Sequence, residues 1–158
     1  MIRRSALENI GGYRCQFRLA EDYDLWLRLI EEGQIANLPE PLVYYRKHPT
    51  QVTDRSRTAY LTLYSVAAAT DYFLRKCDIQ PQACNINELS NDDVAEKLAL
   101  IYNSGPEKDD TKALNRHGIR FLRHANALST SARLTLQKAM RPYMSLAEKM
   151  KFAIYKNL

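Results

Sequence analysis

Cysteine is scarce and badly placed for a scaffold: Cys15, Cys77 and Cys84 are odd in number, widely spaced and form no CxxC pair. That pattern argues against a disulfide framework and a structural zinc site, and it fits a reducing compartment. No uninterrupted apolar run reaches the roughly 18 residues a membrane-spanning helix needs. The opening residues, with Arg3, Arg4 and Glu8, do not form a signal peptide. Internal repeats and low-complexity tracts are also missing. No zinc-finger spacing, glycine-rich RNA loop or continuous basic region is found, so nucleic acid is not an expected partner.

What is present is a chain of 158 residues, 46% hydrophobic and 26% charged, the profile of a globular protein with one modest core. The formal charge of +5 is unevenly placed. From Lys112 onward ten basic side chains stand against the single acid Glu148, and everything before Lys112 is net acidic. A basic tail of this kind suits an anionic lipid surface or an acidic face of a protein.

Periodicity organises the rest. Residues 1–8 read as the end of a strand followed by a helical turn, closed by Gly11 and Gly12, whose backbone freedom allows a tight loop. Residues 20–32 read as a helix: Leu25 and Leu29 stand four apart, Trp26 and Ile30 repeat that interval on the adjoining flank, and Gly33 stops it with an expected left-handed cap. Residues 35–38 and 42–46 read as short strands, with Val43 and Tyr45 on one face and Leu42, Tyr44 and Arg46 on the other. Pro39 and Pro41 place the first of these at a sheet edge or rigid turn. Beyond residue 50 the grammar is helical, over 60–76, 92–102, 112–127, 131–140 and 145–157. The last of these opens on a capping box, Ser145 followed by Glu148.

The first fifty residues contain Met1-Ile2-Arg3-Arg4, then Gly11-Gly12-Tyr13, then Glu21-Asp22-Tyr23-Asp24-Leu25-Trp26-Leu27-Arg28, then Asn37-Leu38-Pro39-Glu40-Pro41-Leu42-Val43-Tyr44-Tyr45-Arg46-Lys47-His48. In combination these resemble the carboxyl-terminal, acceptor-side part of the family 2 glycosyltransferases, of the nucleotide-diphospho-sugar transferase type. The resemblance covers about one-third of the chain. It implies an α/β fold class, a remnant of that transferase fold over residues 1–54, followed by an all-helical extension over 55–158.

By the same resemblance Asp22 is the general base of an inverting transfer, taking the proton of an acceptor hydroxyl. Glu21, Asp24 and Trp26 then lie on the acceptor side. Helix-terminal dressing is the plain alternative for the acids, and core packing for Trp26. Arg28 and Arg46 suit donor phosphates as well as clamps to nearby carboxylates. The resemblance puts His48 near the donor diphosphate and its metal, Mn²⁺ or Mg²⁺ in the full enzyme, with none expected on this chain alone.

The family's donor-binding half, with its DxD pair, has no counterpart here. Asp22-Tyr23-Asp24 belongs to the acceptor motif, and Asp109-Asp110 has no supporting pattern. The expectation is therefore a truncated glycosyltransferase, inactive alone, whose parent moved a sugar from a nucleotide sugar to a glycan acceptor. The rival expectation is a non-enzymatic helical module whose basic helices dock a partner protein or an anionic membrane surface. A homo-oligomer or the missing N-terminal half is a further expected partner, with the chain in the cytoplasm or peripherally on the inner membrane face. For the membrane case Leu134, Leu136 and Met140, then Leu146, Met150 and Ile154, would anchor the tail, unless they pack into a protein core.

Overall fold

The computed structural model describes residues 1–17, 19–48, 58–80, 90–125, 127–145 and 147–149. Helices form wherever apolar side chains recur every three or four residues. They are α1 (Arg4–Asn9), α2 (Glu21–Glu32), α3 (Thr58–Lys76), α4 (Asn91–Asn103), α5 (Lys108–His124) and α6 (Thr130–Met140), with a 3-10 turn at Arg141–Tyr143.

Local caps set several boundaries. Ser90 caps α4 through a reciprocal pair with Asp93, and Ser129 accepts the N–H of Ala132 at the start of α6. Ser145 and Glu148 make the capping box read from the sequence, with the Ser145 N–H donating to Glu148 Oε2 at 2.7 Å. Most of the segment expected to follow lies outside the described residues. Gly33, expected as a left-handed cap, has φ of 173°, which is extended backbone open to any residue.

The core is shared by α3 to α6. Val66, Phe73 and Leu74 from α3 meet Val94, Leu98, Ile101 and Tyr102 from α4, Leu114 and Phe121 from α5, and Leu136 and Met140 from α6. The Ala67-Ala68-Ala69 run adds small side chains that let neighbouring helices approach α3. Gly118 serves the same end on α5, since a β-carbon there would stand 2.7 Å from the Met140 methyl carbon. A polar relay crosses this core: the Tyr102 hydroxyl donates to Asn115 Oδ1 at 3.0 Å, and the Asn115 amide donates to the Tyr143 carbonyl at 2.9 Å. Burial drives the Tyr102 hydroxyl pKa far up, so the relay keeps its proton at any physiological pH. Helix α2 joins the bundle along α3, with Leu25, Leu29 and Phe17 buried.

The α/β expectation is overturned: the described residues contain helices and no strand. Residues 35–38 and 42–46 are short apolar segments of strand type but sit in a stretch, 34–48, without helix or strand, its residues exposed throughout. The physical reason is that such a segment supplies only the side-chain half of a strand. The other half is a ladder of backbone hydrogen bonds to a neighbour, and no second extended segment is paired to it among the described residues. Pro39 and Pro41 remove two donors as well.

Candidate interaction surface

The loop before α2 is built around one guanidinium. Gly11 and Gly12 have φ of 73° and 68°, a left-handed pair that any other residue would resist. Their turn brings the carbonyls of Ile10 and Gly12 to Arg28, which donates to each at 2.6 Å. Arg28 also donates to Asp24 Oδ2 from Nε at 3.0 Å and from Nη2 at 2.8 Å. From the other side Arg14 donates to both Asp24 oxygens, at 3.1 Å from Nε, and its Nη2 also reaches Asp71 on α3 at 2.7 Å. Arg14 further stacks on Phe17, 4.6 Å from the ring centroid. Arg75 bridges Asp71 to Glu31, so the charge network ties α2 to α3.

The residues singled out by the resemblance are thus placed very differently from one another. Asp24 is 1% exposed and held by two arginines. Arg28 is buried and directed at loop carbonyls and Asp24. Glu21 and Asp22 are exposed at the start of α2, and Asp22 Oδ1 accepts the N–H of Tyr23 at 2.7 Å. Trp26 is 41% exposed, not in the core. Arg46 and His48 are exposed on the 34–48 stretch. Among the described residues no group of three or more His, Cys, Asp or Glu side chains is arranged to hold a metal ion. Sequence reasoning missed Arg14 and Asp71, which lie 57 residues apart and carry no local signal.

Trp26 and Ile30 instead line an open apolar groove of about 990 Å³ with Met1, Ile2, Leu29 and Ile35. The chain leaves this groove into Leu38, Leu42, Val43, Tyr44 and Tyr45, all exposed. In the first turn of α2, Tyr23 Oη lies 3.1 Å from His117 Nε2, beside Arg116 and Arg120 on α5. Burial, aided by those two cations, lowers the His117 pKa to about 4, so the ring is neutral in the fold at pH 7.

A folded pKa below the unfolded value means that the unfolded chain binds the extra proton first. Stability from this group is complete above about pH 6.5 and is lost as pH falls from there to about 4. Urea titrations across that window should show a slope of up to about 1.4 kcal/mol per pH unit, which His117→Gln should flatten. An unchanged slope in the variant would assign the pH dependence to other groups.

No helix among the described residues is long and apolar enough to cross a membrane. Helix α6 buries Leu136 and Met140, two of the residues expected to face lipid, while Leu146, Met150 and Ile154 lie outside the described residues.

A curated protein of Haemophilus influenzae named as an uncharacterized glycosyltransferase is 49% identical over 45 residues, which is 28% of this chain and 16% of that protein. No family model matches the chain. No solved structure matches it either. A match of that extent does not show the family, and the strandless helical architecture of the described residues overturns the family 2 expectation together with the transferase activity drawn from it. The helical framework agrees better with an interaction module.

Proposed function

We propose that this chain is a non-enzymatic helical interaction module that docks a partner protein. Its docking face is the groove beside α2 together with residues 34–48. The observation that carries this reading is the series of exposed apolar side chains Trp26, Ile30, Ile35, Leu38, Leu42, Val43 and Tyr44, interspersed with polar residues and attached to a well-packed bundle. Apolar surface of that kind mostly marks a protein or membrane contact.

Charge of mixed sign favours a protein partner. Arg3 and Glu32 both line the groove, and Glu40, Arg46 and Lys47 are exposed on the adjoining stretch, a pattern that a protein surface can match and a uniformly anionic bilayer cannot. A partner covering about 800 Å² of this face would suffice for a stable contact.

Photo-crosslinking tests the reading. A photoreactive residue at Tyr44 in the full chain, in its native cells, should give one adduct of defined mass, competed by unmodified chain and lost with Ile30→Asp. The same group at Leu100, an exposed position on α4, should give none. No adduct from Tyr44, equal adducts from both positions, or flotation on acidic vesicles in place of an adduct would overturn the proposal.

A further inference from the structure

We propose that Arg116 and Arg120 on α5, together with the Tyr23 hydroxyl from α2, bind the phosphoryl group of a phosphate monoester. The two arginines are exposed and stand four apart, so their side chains rise from one face of the helix with β-carbons about 5–6 Å apart. Between them in sequence lies His117, whose Nε2 meets Tyr23 Oη at 3.1 Å. Both guanidinium charges act on the Tyr23 hydroxyl and on the His117 ring, so both lie close to this half-buried pair. The site shares no residue with the groove beside Trp26 and Ile30.

Among the described residues the fold gives these cations no counter-charge: no carboxylate lies within ion-pair distance of either. Asp109 and Asp110 stand about two turns nearer the start of α5, and Asp110 is taken by Lys76 at 2.7 Å. The helix dipole favours cations in the last turn, where Arg123 and His124 stand. Arg116 is about two turns short of that end, so the dipole does not account for it. Lys112, Arg116 and Arg120 repeat at intervals of four, and like charges so spaced repel one another. An anion seated across the two arginines removes that repulsion.

Donor count selects the ligand. Two guanidinium forks call for more acceptor oxygens than the single pair of a carboxylate. A phosphate monoester offers three terminal oxygens and a charge of about −1.5 to −2 at neutral pH, enough to meet both forks. Burial holds the Tyr23 pKa above its ordinary value, so the phenol keeps its proton as a further donor. With the hydrogen of His117 on Nε2, the ring donates to Tyr23 Oη and leaves the hydroxyl hydrogen free for the anion. No large apolar side chain of α5 is exposed, so this face suits a polar group rather than an apolar one.

Nuclear magnetic resonance of the full chain tests the site, with methyl phosphate as the probe and ionic strength held constant by sodium chloride. At about pH 7, where a monoester is mostly doubly charged, the His117 ring signals should shift along a saturable curve with Kd on the order of 1 mM. Acetate should produce no such curve. Arg116→Gln and Arg120→Gln should each weaken binding about tenfold or more, with circular dichroism unchanged because both positions are exposed. Ile30→Asp should leave the curve as it is, so loss of the docking groove and loss of this site are read apart. Vesicles bearing phosphatidic acid, itself a monoester, separate the sources: displacement of methyl phosphate places the ligand on a lipid headgroup, no displacement places it on a soluble molecule, and either upholds the site. A shift that does not saturate, an equal response to acetate, or indifference to both arginine replacements would overturn the inference.

Discussion

Asp24→Ala should destabilise the fold by about 3–5 kcal/mol, the range for removing one partner of a buried charge pair and leaving the other uncompensated. Two guanidinium groups depend on this carboxylate, Arg28 on one side and Arg14 on the other. Arg28 would keep the carbonyls of Ile10 and Gly12, and Arg14 would keep Asp71 and its stack on Phe17. The loop closed by Gly11 and Gly12 would lose the charge that holds its arginine in place, so the loss should extend to the seating of α2 on α3. Asp22→Ala, two residues away and exposed, should stay within about 0.5 kcal/mol. Urea denaturation of both variants measures the contrast. A cost under about 1 kcal/mol for Asp24→Ala would mean that water takes over from the lost carboxylate.

That contrast shows what the sequence could and could not convey. Glu21, Asp22 and Asp24 are equivalent as letters in a first helical turn. The Asp24–Arg28 spacing of four marks an ion pair on any helix, and the pair is present. Its burial is decided by Arg14 and Asp71, whose positions depend on a loop and on α3. The same holds for the apolar flanks of α2, where Leu25 with Leu29 and Trp26 with Ile30 repeat the same interval. The loop residue Phe17 is buried and α3 packs along α2, the first pair is inward, and Trp26 is left facing the groove.

Helices were legible because their hydrogen bonds are local and their apolar period is read within one segment. The readings over 20–32, 60–76, 92–102, 112–127 and 131–140 each fall on an observed helix, with ends displaced by a few residues. Strands were not, because a strand is a property of two segments. The β-branched and aromatic composition at residues 42–46 suits a strand, yet it says nothing about whether a neighbour exists. Family likeness over the same residues carried an α/β architecture with it, and the described residues do not contain one.

Leu136→Ala should cost about 2–5 kcal/mol, the range for truncating a fully enclosed leucine. As sequence, α6 is ambiguous: Leu134, Leu136 and Met140 among Arg133, Lys138 and Arg141 suit a helix lying on lipid as well as one packed on protein. In the structure Leu136 and Met140 are 0% exposed, set against α4, while Leu134 is 44% exposed. Arg133 is turned inward to the end of α5, donating to the Leu122 carbonyl at 3.1 Å. It therefore closes a helix terminus whose carbonyls would otherwise lack donors. Removing the Leu136 side chain opens a void in the core shared by α3 to α6, one turn from Met140, which is packed tightly enough against Gly118 to leave no room for a β-carbon there. Leu134→Ala removes the same atoms from a half-exposed position and should change stability by no more than about 0.5 kcal/mol. Thermal and urea denaturation of the two variants in lipid-free buffer separates the readings. A large loss for Leu136→Ala alone is the signature of a core residue. Equal small losses, with weaker association of both variants with acidic vesicles, would return α6 to the membrane surface.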